Sequence, residues 1–305
     1  MGSGSSKPSN SVGSSYGVPG AVATASYNVA TPRGQKLALI MGINYTGTDN
    51  ELRGCINDAN KVSSLLSGWG FTCTVMTNLS SGDLYTSKNN ILSKMDTFLS
   101  GLGENDTLII YYSGHGSLVN DNNGDELYGK DSVIVPSDYS TKGFIIDDEI
   151  RQKLMKATQG NVLCFFDSCN SGSVCDLRYN LLSNVYRTIL SNSRLFNPTE
   201  WSRAIETVVN DNYVETNTNI LSLSGSRDNQ LSYEIQDSSG TYGGALTFAV
   251  VSILKSNTPA IKMLDFVGYV RSQILSWGLT NQTPSFMSGK TFTDENLTVA
   301  QYIGI

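Results

Sequence analysis

Two uninterrupted apolar segments, each followed closely by a reactive side chain, constrain this chain more than any other feature. Residues 162–166 lead into Cys169, and residues 108–112 lead into the only histidine, His115. Long apolar runs bounded by polar residues predict strands buried on both faces, as in a parallel sheet. Because the carboxyl ends of such strands open at one edge of the sheet, we expect Cys169 and His115 to share a site there.

Composition limits the class of protein. With 39% hydrophobic residues among 305, the chain can bury a sizeable core, and its formal net charge of −6 argues against nucleic-acid binding. The longest apolar stretch, residues 245–254, is too short to span a bilayer, and no signal peptide is recognisable. Five cysteines without framework-like spacing favour a reducing compartment, so a soluble cytoplasmic protein is expected.

Strand and helix patterns alternate from residue 36 onward, which predicts an α/β fold with a mostly parallel central sheet and helices on both faces. The apolar and β-branched runs predict strands at residues 36–45, 71–77, 106–112, 131–138, 162–166, 219–224 and near 286. The helical patterns and their caps predict helices at residues 57–66, 87–99, 147–157, 241–255 and 263–277.

Three changes in composition divide the chain. Residues 1–33 are rich in Gly and Ser and predict a disordered tail or prodomain ahead of one domain at 34–305. Within that domain, a polar and irregular segment at 177–217 separates a part at 34–176 from a part at 218–305. The first residues match the pattern for myristoylation of Gly2, which would give weak membrane association; a chance match or a cloning scar is the alternative.

The Cys–His pair is the strongest chemical signal. His115 lies between Gly114 and Gly116, which suit an irregular turn and leave its ring uncrowded. Cys169 follows His115 by 54 positions (169 − 115), close to the spacing of about 50 found in caspase-type cysteine peptidases. A cysteine beside a base is the arrangement that nucleophilic catalysis requires.

Five segments, in order along the chain, resemble those of the type I metacaspases. They are residues 54–58, residues 112–116 around His115, residues 144–148, residues 167–173 around Cys169, and residues 224–230 together with 244–247. The resemblance implies a caspase-like three-layer fold from about residue 36 to the end. One departure is Asn170, where the family usually has histidine after the nucleophile.

The resemblance implies the catalytic roles. Cys169 would be the nucleophile and His115 the general base and later the acid. The backbone N–H groups of Gly116 and Cys169 are the candidates for stabilising the oxyanion. No third group that orients His115 can be named from the sequence. The alternative is a catalytically silent homologue that acts as a regulatory or binding module.

The resemblance also implies a substrate pocket (S1) formed by Asp58, Asp167, Cys55 and Ser113. Two carboxylates in a confined pocket favour a substrate with Arg or Lys before the scissile bond, the P1 position, and disfavour the Asp that caspases accept. In the alternative interpretation, Asp58 caps the helix that begins near residue 57 and Asp167 is a buried structural acid.

Asp131, Asp147 and Asp148 resemble the calcium ligands of the family, and Ca²⁺ prefers such carboxylate oxygens. The alternative for Asp147 and Asp148 is the ordinary preference for acids in the first turn of a helix. A nearby acidic loop contains Asp121, Asp125 and Glu126 and starts like an EF-hand, but it lacks the flanking helices and the final Glu. One histidine and scattered cysteines cannot form a zinc site.

Basic residues supply candidate self-cleavage points for a peptidase with this specificity, although the arginine-bearing stretch after residue 176 is equally explained as a plain surface insertion. They are Arg33, Arg178, Arg187, Arg194 and Arg203. The resemblance implies a monomer acting on protein or peptide substrates. Among the remaining cysteines, Cys73 and Cys164 fall in apolar strands and are expected in the core, whereas Cys175 is expected to be an exposed thiol in a loop.

Overall fold

The computed structural model describes residues 34–121, 124, 129–183, 205–237, 239–256 and 260–305. Several sequence predictions concern residues outside these ranges, so the structure does not test them. They are the tail at 1–33 with Gly2 and Arg33, the loop acids Asp125 and Glu126, and the candidate cleavage residues Arg187, Arg194 and Arg203.

The strands follow the chain in this order: β1 Lys36–Gly42, β2 Thr72–Thr77, β3 Thr107–Ser113, β4 Gly116–Asn120, β5 Lys130–Ile134, β6 Ile145–Ile146, β7 Asn161–Asp167, β8 Tyr179–Ser183, β9 Ile205–Val209, β10 Asn219–Ser224, β11 Glu234–Gln236, β12 Tyr242–Gly244 and β13 Ser285–Ser288. Eight of them form the central sheet, in the order β2-β1-β3-β7-β10-β13-β8-β9. The pairs from β2 to β10 are parallel, and the pairs from β10 to β9 are antiparallel.

Helices cover both faces of this sheet. Their bounds are α1 Cys55–Gly68, α2 Lys88–Ser100, α3 Tyr139–Lys142, α4 Asp147–Leu154, α5 Ala245–Ser256, α6 Met263–Ser276 and α7 Val299–Ile303. Side chains of β3 alternate between two cores, with Ile109 packed among α1, α5 and α6 and Leu108 packed among α2 and α4. The predicted three-layer α/β architecture is therefore confirmed.

The register of the sheet sets the position of the two reactive residues. Ser113 at the end of β3 pairs with Asp167 at the end of β7. His115 and Cys169 each follow two positions later, so adjacent parallel strands deliver them to the same edge. This is the juxtaposition that the two apolar runs predicted.

The prediction that residues 177–217 are irregular is wrong where β8 and β9 form. These two strands pair antiparallel and extend the sheet beyond β13. Their pattern is short and flanked by polar residues, so tertiary pairing rather than a strong local signal makes them strands.

The predicted helix at 241–255 begins late, at Ala245, because residues 242–244 form β12. The chain stays extended there because residues 242–244 pair with β11, and the N–H of Gly244 also donates to Asp58. The prediction for Cys175 is also wrong, because its side chain is fully buried in the same core as Cys164. All five cysteines are free thiols.

Candidate active site

An open cleft of about 230 Å³ lies at the carboxyl ends of β3 and β7. His115 and Cys169 both line it, together with the predicted pocket residues Cys55, Asp58, Ser113 and Asp167. The structure therefore brings together the six side chains that the sequence analysis assigned to the dyad and the S1 pocket.

A backbone carbonyl orients the ring of His115. Its Nε2 atom lies 2.8 Å from the carbonyl oxygen of Asn50. Because a carbonyl can only accept, Nε2 carries the proton, and Nδ1 is left as the basic nitrogen. Asn50 thus acts as the third member of the site through its main chain, which no side-chain motif could have indicated.

Tyr45 holds the other side of His115. The two rings are 4.7 Å apart at a tilt of 37°. The Tyr45 hydroxyl accepts the backbone N–H of His115 at 3.0 Å and donates to the carbonyl of Val135 at 2.7 Å. Tyr45 also has a φ of 52°, an uncommon conformation for a bulky residue and one that concentrates at functional sites. The sequence analysis missed Tyr45, although its place just after β1 put it at the same edge of the sheet.

Cys169 is half-buried, and its sulfur contacts the main chain of Ser232. The N–H of Ser232 lies 3.2 Å from Sγ, and the thiol faces the Ser232 carbonyl at 3.5 Å. Burial raises the pKa of the Cys169 thiol, and the Ser232 N–H opposes that increase. The carbonyl of Cys169 packs on Gly116, where an added Cβ would lie 2.0 Å from the oxygen. The two residues proposed for the oxyanion site are therefore neighbours.

Asp58 is fully buried and only half satisfied. Its Oδ2 accepts from the Ser113 hydroxyl at 3.1 Å and from the N–H of Gly244 at 2.7 Å. Its Oδ1 has no hydrogen-bond partner among the described residues. Burial, and then the nearby charge of Asp167, raises the pKa of Asp58 well above its ordinary value. A buried and half-satisfied carboxylate that lines the cleft is a group that a cation would stabilise.

The helix-cap alternative for Asp58 fails. Helix α1 begins at Cys55, and Gly54 occupies its N-cap position. The carboxylate that serves this helix end comes from Glu234, which accepts the backbone N–H groups of Arg53 at 3.1 Å and Gly54 at 2.6 Å. Asp58 therefore does not cap α1, and it remains a candidate residue of the S1 pocket.

Asp167 fits the alternative of a structural acid more closely than Asp58 does. Its Oδ2 accepts from the N–H and the hydroxyl of Thr247 at 2.8 and 2.6 Å, and its Oδ1 accepts from the Ser232 hydroxyl at 2.8 Å. Burial still raises the pKa of Asp167. Asp167 therefore contributes negative charge to the cleft, while its oxygens are already hydrogen-bonded.

Glu234 is a third acid lining the cleft, and the sequence analysis missed it. It is exposed at the start of β11 and is oriented by the backbone N–H groups that it caps. No motif marks it, because its neighbours in space come from a loop far away in the sequence. Its charge adds to that of the two buried acids.

Asn170 departs from the family pattern, and its side chain contacts the main chain of Asp228. Its φ is 50°, a left-handed conformation that asparagine adopts more readily than most residues. Its side-chain amide donates to the carbonyl of Asp228, and its backbone N–H donates to the carbonyl of Gln230 at 3.0 Å. Because the bond to Gln230 joins main-chain atoms, it does not depend on the identity of this side chain.

The acids predicted to bind calcium lie on β5 and at the start of α4. Asp131 and Asp147 are buried, Asp148 is half-buried, and Oδ2 of Asp147 accepts the N–H of Ser132 at 2.5 Å. In the part of the chain that the structure describes, no three carboxylate, imidazole or thiol groups converge in a way that would hold a metal ion. The calcium assignment therefore stays a prediction.

Of the candidate cleavage residues, Arg178 is the one that the structure describes. Its guanidinium donates to Oδ1 of Asp211 at 2.7 Å and to the carbonyl of Tyr213. It directly precedes β8, whose first residue pairs with both β9 and β13. Arg178 is thus engaged on both its side chain and the adjoining main chain.

A thiol and an oriented imidazole at neighbouring strand ends of a caspase-like sheet define a cysteine hydrolase. Residues 36–178 match the family described as metacaspase, peptidase C14 domain. Metacaspase-1B of Aspergillus oryzae is 30% identical over 289 residues, which cover 84% of this chain and 68% of that protein. The chain therefore belongs to the metacaspase family, and its matched segment is a cysteine-peptidase domain.

Other relatives match over less of their own length. Metacaspase-1A of Neurospora crassa is 44% identical over 153 residues, covering 48% of this chain and 34% of that protein. Metacaspase-1 of Candida albicans is 33% identical over 271 residues, covering 76% of this chain and 60% of that protein. The chain thus spans about a third to two thirds of the length of these relatives.

Two solved structures share the fold. Protein GSU0716 from Geobacter sulfurreducens superposes with a TM-score of 0.60 at 25% identity, over 87% of this chain and 97% of that chain. Caspase-1 from Spodoptera frugiperda superposes with a TM-score of 0.54 at 14% identity, over 90% and 94%, which concerns the fold alone. Among the described residues, no helix combines the length and apolar character needed to cross a membrane.

Proposed function

We propose that this chain is a cysteine endopeptidase that cleaves peptide bonds after Arg or Lys. The observation that carries the specificity is Asp58, a fully buried carboxylate in the cleft whose Oδ1 has no partner among the described residues. A guanidinium or ammonium group entering the cleft would stabilise the negative charge of this carboxylate. The buried Asp167 and the exposed Glu234 add negative charge and disfavour an acidic side chain at the same position.

The proposed reaction follows from the orientation of the dyad. Nδ1 of His115 takes the proton of the Cys169 thiol, because Nε2 is held as a donor by the Asn50 carbonyl. The thiolate attacks the scissile carbonyl, and the imidazolium then protonates the leaving amine. Water, activated by the same nitrogen, hydrolyses the thioester and restores both groups. The N–H groups of Gly116 and Cys169 would donate to the oxyanion, and the contact of Gly116 with the Cys169 carbonyl supports this pairing.

A panel of fluorogenic peptides tests this proposal. Peptides ending in Arg, Lys or Asp are compared with and without millimolar Ca²⁺, and Cys169→Ala is the control for the nucleophile. The proposal expects cleavage after Arg and Lys that depends on Cys169. Cleavage after Asp, or equal cleavage of all three peptides, would contradict the assignment of the pocket.

The alternative is a catalytically silent homologue that acts as a binding or regulatory module. An uncharged thiol reagent and a basic peptide that carries a thiol-reactive group distinguish such a homologue from an active peptidase. Labelling of Cys169 by the basic peptide well above the rate with the uncharged reagent supports an active site, because only the peptide uses the acidic cleft. Equal labelling by both reagents, together with no peptide cleavage, would favour a binding or regulatory module.

Calcium dependence is a second proposal about the same protein. Its support is the donor chemistry of Asp131, Asp147 and Asp148, which are carboxylates on two adjoining elements, two of them buried. Asp147→Asn removes a charge at little change in size. If these acids bind Ca²⁺, calorimetric titration shows weaker binding for this variant, whereas Asp83→Asn, at an exposed acid, binds like the unaltered protein. Unchanged binding in Asp147→Asn would remove this residue from the site.

Self-processing is proposed at basic residues other than Arg178. A peptidase needs an extended and accessible segment, whereas Arg178 is paired with Asp211 and precedes a strand of the central sheet. Arg33, Arg187, Arg194 and Arg203 remain the candidates. Mass spectrometry of the purified protein identifies the new termini, and Cys169→Ala distinguishes self-cleavage from cleavage by another peptidase. A terminus directly after Arg178 would contradict the exclusion.

We also propose that the peptidase acts as a monomer, as the resemblance to the type I metacaspases implies. Light scattering coupled to size-exclusion chromatography measures the mass in solution.

Acylation of Gly2 and a weak membrane association remain part of the proposal, and mass spectrometry of the N-terminus tests them.

A further inference from the structure

Ser232 contacts both the nucleophile and the S1 acid. Its main-chain N–H lies 3.2 Å from Sγ of Cys169. Its hydroxyl donates to Oδ1 of Asp167 at 2.8 Å. Ser232 lies in the loop between β10 and β11, where the local sequence imposes no regular structure. Something outside this loop must therefore fix the direction of its N–H.

Gln282 supplies that constraint. It lies in the segment before β13, and its side chain is fully buried. Its amide nitrogen donates to the Ser232 hydroxyl at 3.0 Å and to the carbonyl of Gly225 at 3.1 Å. Its amide oxygen accepts the N–H of Tyr233 at 3.0 Å. One side chain thus ties the start of the loop, at Gly225, to its end, at Ser232 and Tyr233.

The direction of the Ser232 N–H matters for the chemistry at sulfur. The thiolate is the reacting form of a cysteine, and burial and the charge of Asp167 both disfavour it here. A backbone N–H aimed at the sulfur stabilises the negative charge, as such donors do at buried anions. His115, at the end of the neighbouring strand β3, takes the proton from the thiol, and the Ser232 N–H is a second, uncharged donor at the same sulfur.

We propose that Gln282 is a positioning residue for catalysis: its buried amide fixes Ser232 so that the Ser232 N–H stabilises the thiolate of Cys169. Gln282 touches neither the substrate nor the sulfur and acts through Ser232. The expected effect of the contact between Ser232 and Asp167 rests on the proposed specificity for Arg and Lys. The expected effect of the contact between Ser232 and Cys169 requires only a cysteine nucleophile.

The test measures the thiolate without any substrate. Iodoacetamide, which is small and uncharged, alkylates Cys169 at a rate that follows the thiolate fraction, and mass spectrometry of the peptide that carries Cys169 records the rate against pH. Gln282→Met keeps the length of the side chain and removes its hydrogen bonds. Gln273→Met is the matched control, since that glutamine bonds within α6 to Ser276. Circular dichroism and thermal unfolding verify that each variant is folded.

For Gln282→Met we expect the alkylation profile to move about one pH unit higher and kcat to fall roughly tenfold, which is the effect of one weakened hydrogen bond to a charged group. For Gln273→Met we expect neither change. If Gln282→Met does not fold, Gln282→Leu takes its place, because it also removes the hydrogen bonds to Ser232 and Tyr233 and adds no charge near the sulfur.

Ser232→Ala tests the serine hydroxyl through which Gln282 acts. It removes the hydrogen bonds of that hydroxyl to Asp167 and to Gln282 and keeps the N–H at the sulfur, so we expect a higher KM for Arg peptides and an alkylation profile that moves to higher pH, by less than in Gln282→Met. An unaltered alkylation profile in a folded Gln282 variant would overturn the inference, even if its activity fell, because Gln282 would then support only the fold. Absence of Arg or Lys cleavage in the unaltered protein would contradict the proposed specificity and leave the alkylation result intact.

Discussion

Replacing Asp58 by asparagine tests the pocket with almost no change in shape. Asparagine can still accept from Ser113 and Gly244 through its oxygen, while an uncharged amide takes the place of the unsatisfied Oδ1. A hydrogen bond to a charged group contributes about 1.5–3 kcal/mol, which corresponds to a loss of roughly 10- to 150-fold in kcat/KM for Arg peptides. The assay measures kcat and KM with Arg and Lys peptides, using Asp83→Asn at an exposed acid as the control.

Although Asp58→Asn should lower activity, it should not lower the stability of the folded protein at neutral pH. The pKa of Asp58 is raised in the folded protein by burial and by Asp167, so the folded state binds the proton more tightly than the unfolded state, in which the pKa is about 3.9. Stability therefore falls as the pH rises from about 4 through the raised pKa, and Asp58→Asn removes that loss. Thermal unfolding at pH 7 should show the variant at least as stable as the unaltered protein, with the difference in Tm vanishing below about pH 4. Undiminished kcat/KM with Arg peptides would refute the pocket assignment, and a variant less stable at pH 7 would refute the reasoning about its charge.

Three further predictions concern the dyad and the pocket. As the pH falls through the raised pKa of Asp58, its protonation should increase KM for Arg peptides, which initial rates at several pH values measure; a KM independent of pH would contradict a charged pocket. Tyr45→Phe should lower kcat about tenfold with KM nearly unchanged, because the hydroxyl that accepts the His115 N–H is lost; an unchanged kcat would show that ring packing suffices. Gly116→Ala should abolish cleavage in a protein that still folds by circular dichroism, because its Cβ would overlap the Cys169 carbonyl; full activity in this variant would contradict the oxyanion assignment.

The positions of His115 and Cys169 were predictable because burial acts on every residue of a central strand. A strand covered on both faces must be apolar along its whole length, so the runs before both residues are visible without knowledge of the fold. The register of β3 and β7 then follows from parallel pairing, which places Ser113 opposite Asp167. For β3 and β7, the local sequence pattern and the tertiary structure both require apolar residues along the whole strand.

The partners of the dyad were not predictable, because most of them act through main-chain atoms. The Asn50 carbonyl on His115 and the Ser232 N–H on Cys169 are present in any residue, so no side-chain pattern marks them. Glu234, from a distant hairpin, accepts the N–H groups of the two residues just before α1, whereas the sequence offered Asp58 as the candidate for capping that helix. Contacts between remote segments therefore decide which acid lies at the start of the helix.

Sequence patterns also failed at the edge of the sheet. Strands β8 and β9 form between polar segments, and their pairing with β13 and with each other supplies the order that the local pattern lacks. Burial of Cys175 has the same origin, because the loop after Cys169 folds back into the core that contains Cys164.

The strand order of the central sheet interleaves the two ends of the chain. Strands from before residue 184 lie next to strands from after residue 204 at three places, where β7 pairs with β10, β13 with β8, and β8 with β9. Severing the backbone between β8 and β9 would leave every one of these pairings in place. The two pieces would then stay associated through the sheet, and neither alone would contain both Cys169 and Ser232. Separately produced pieces would regain a complete site only by assembling their strands into one sheet, so that reconstitution of activity would report on the pairing of β7 with β10.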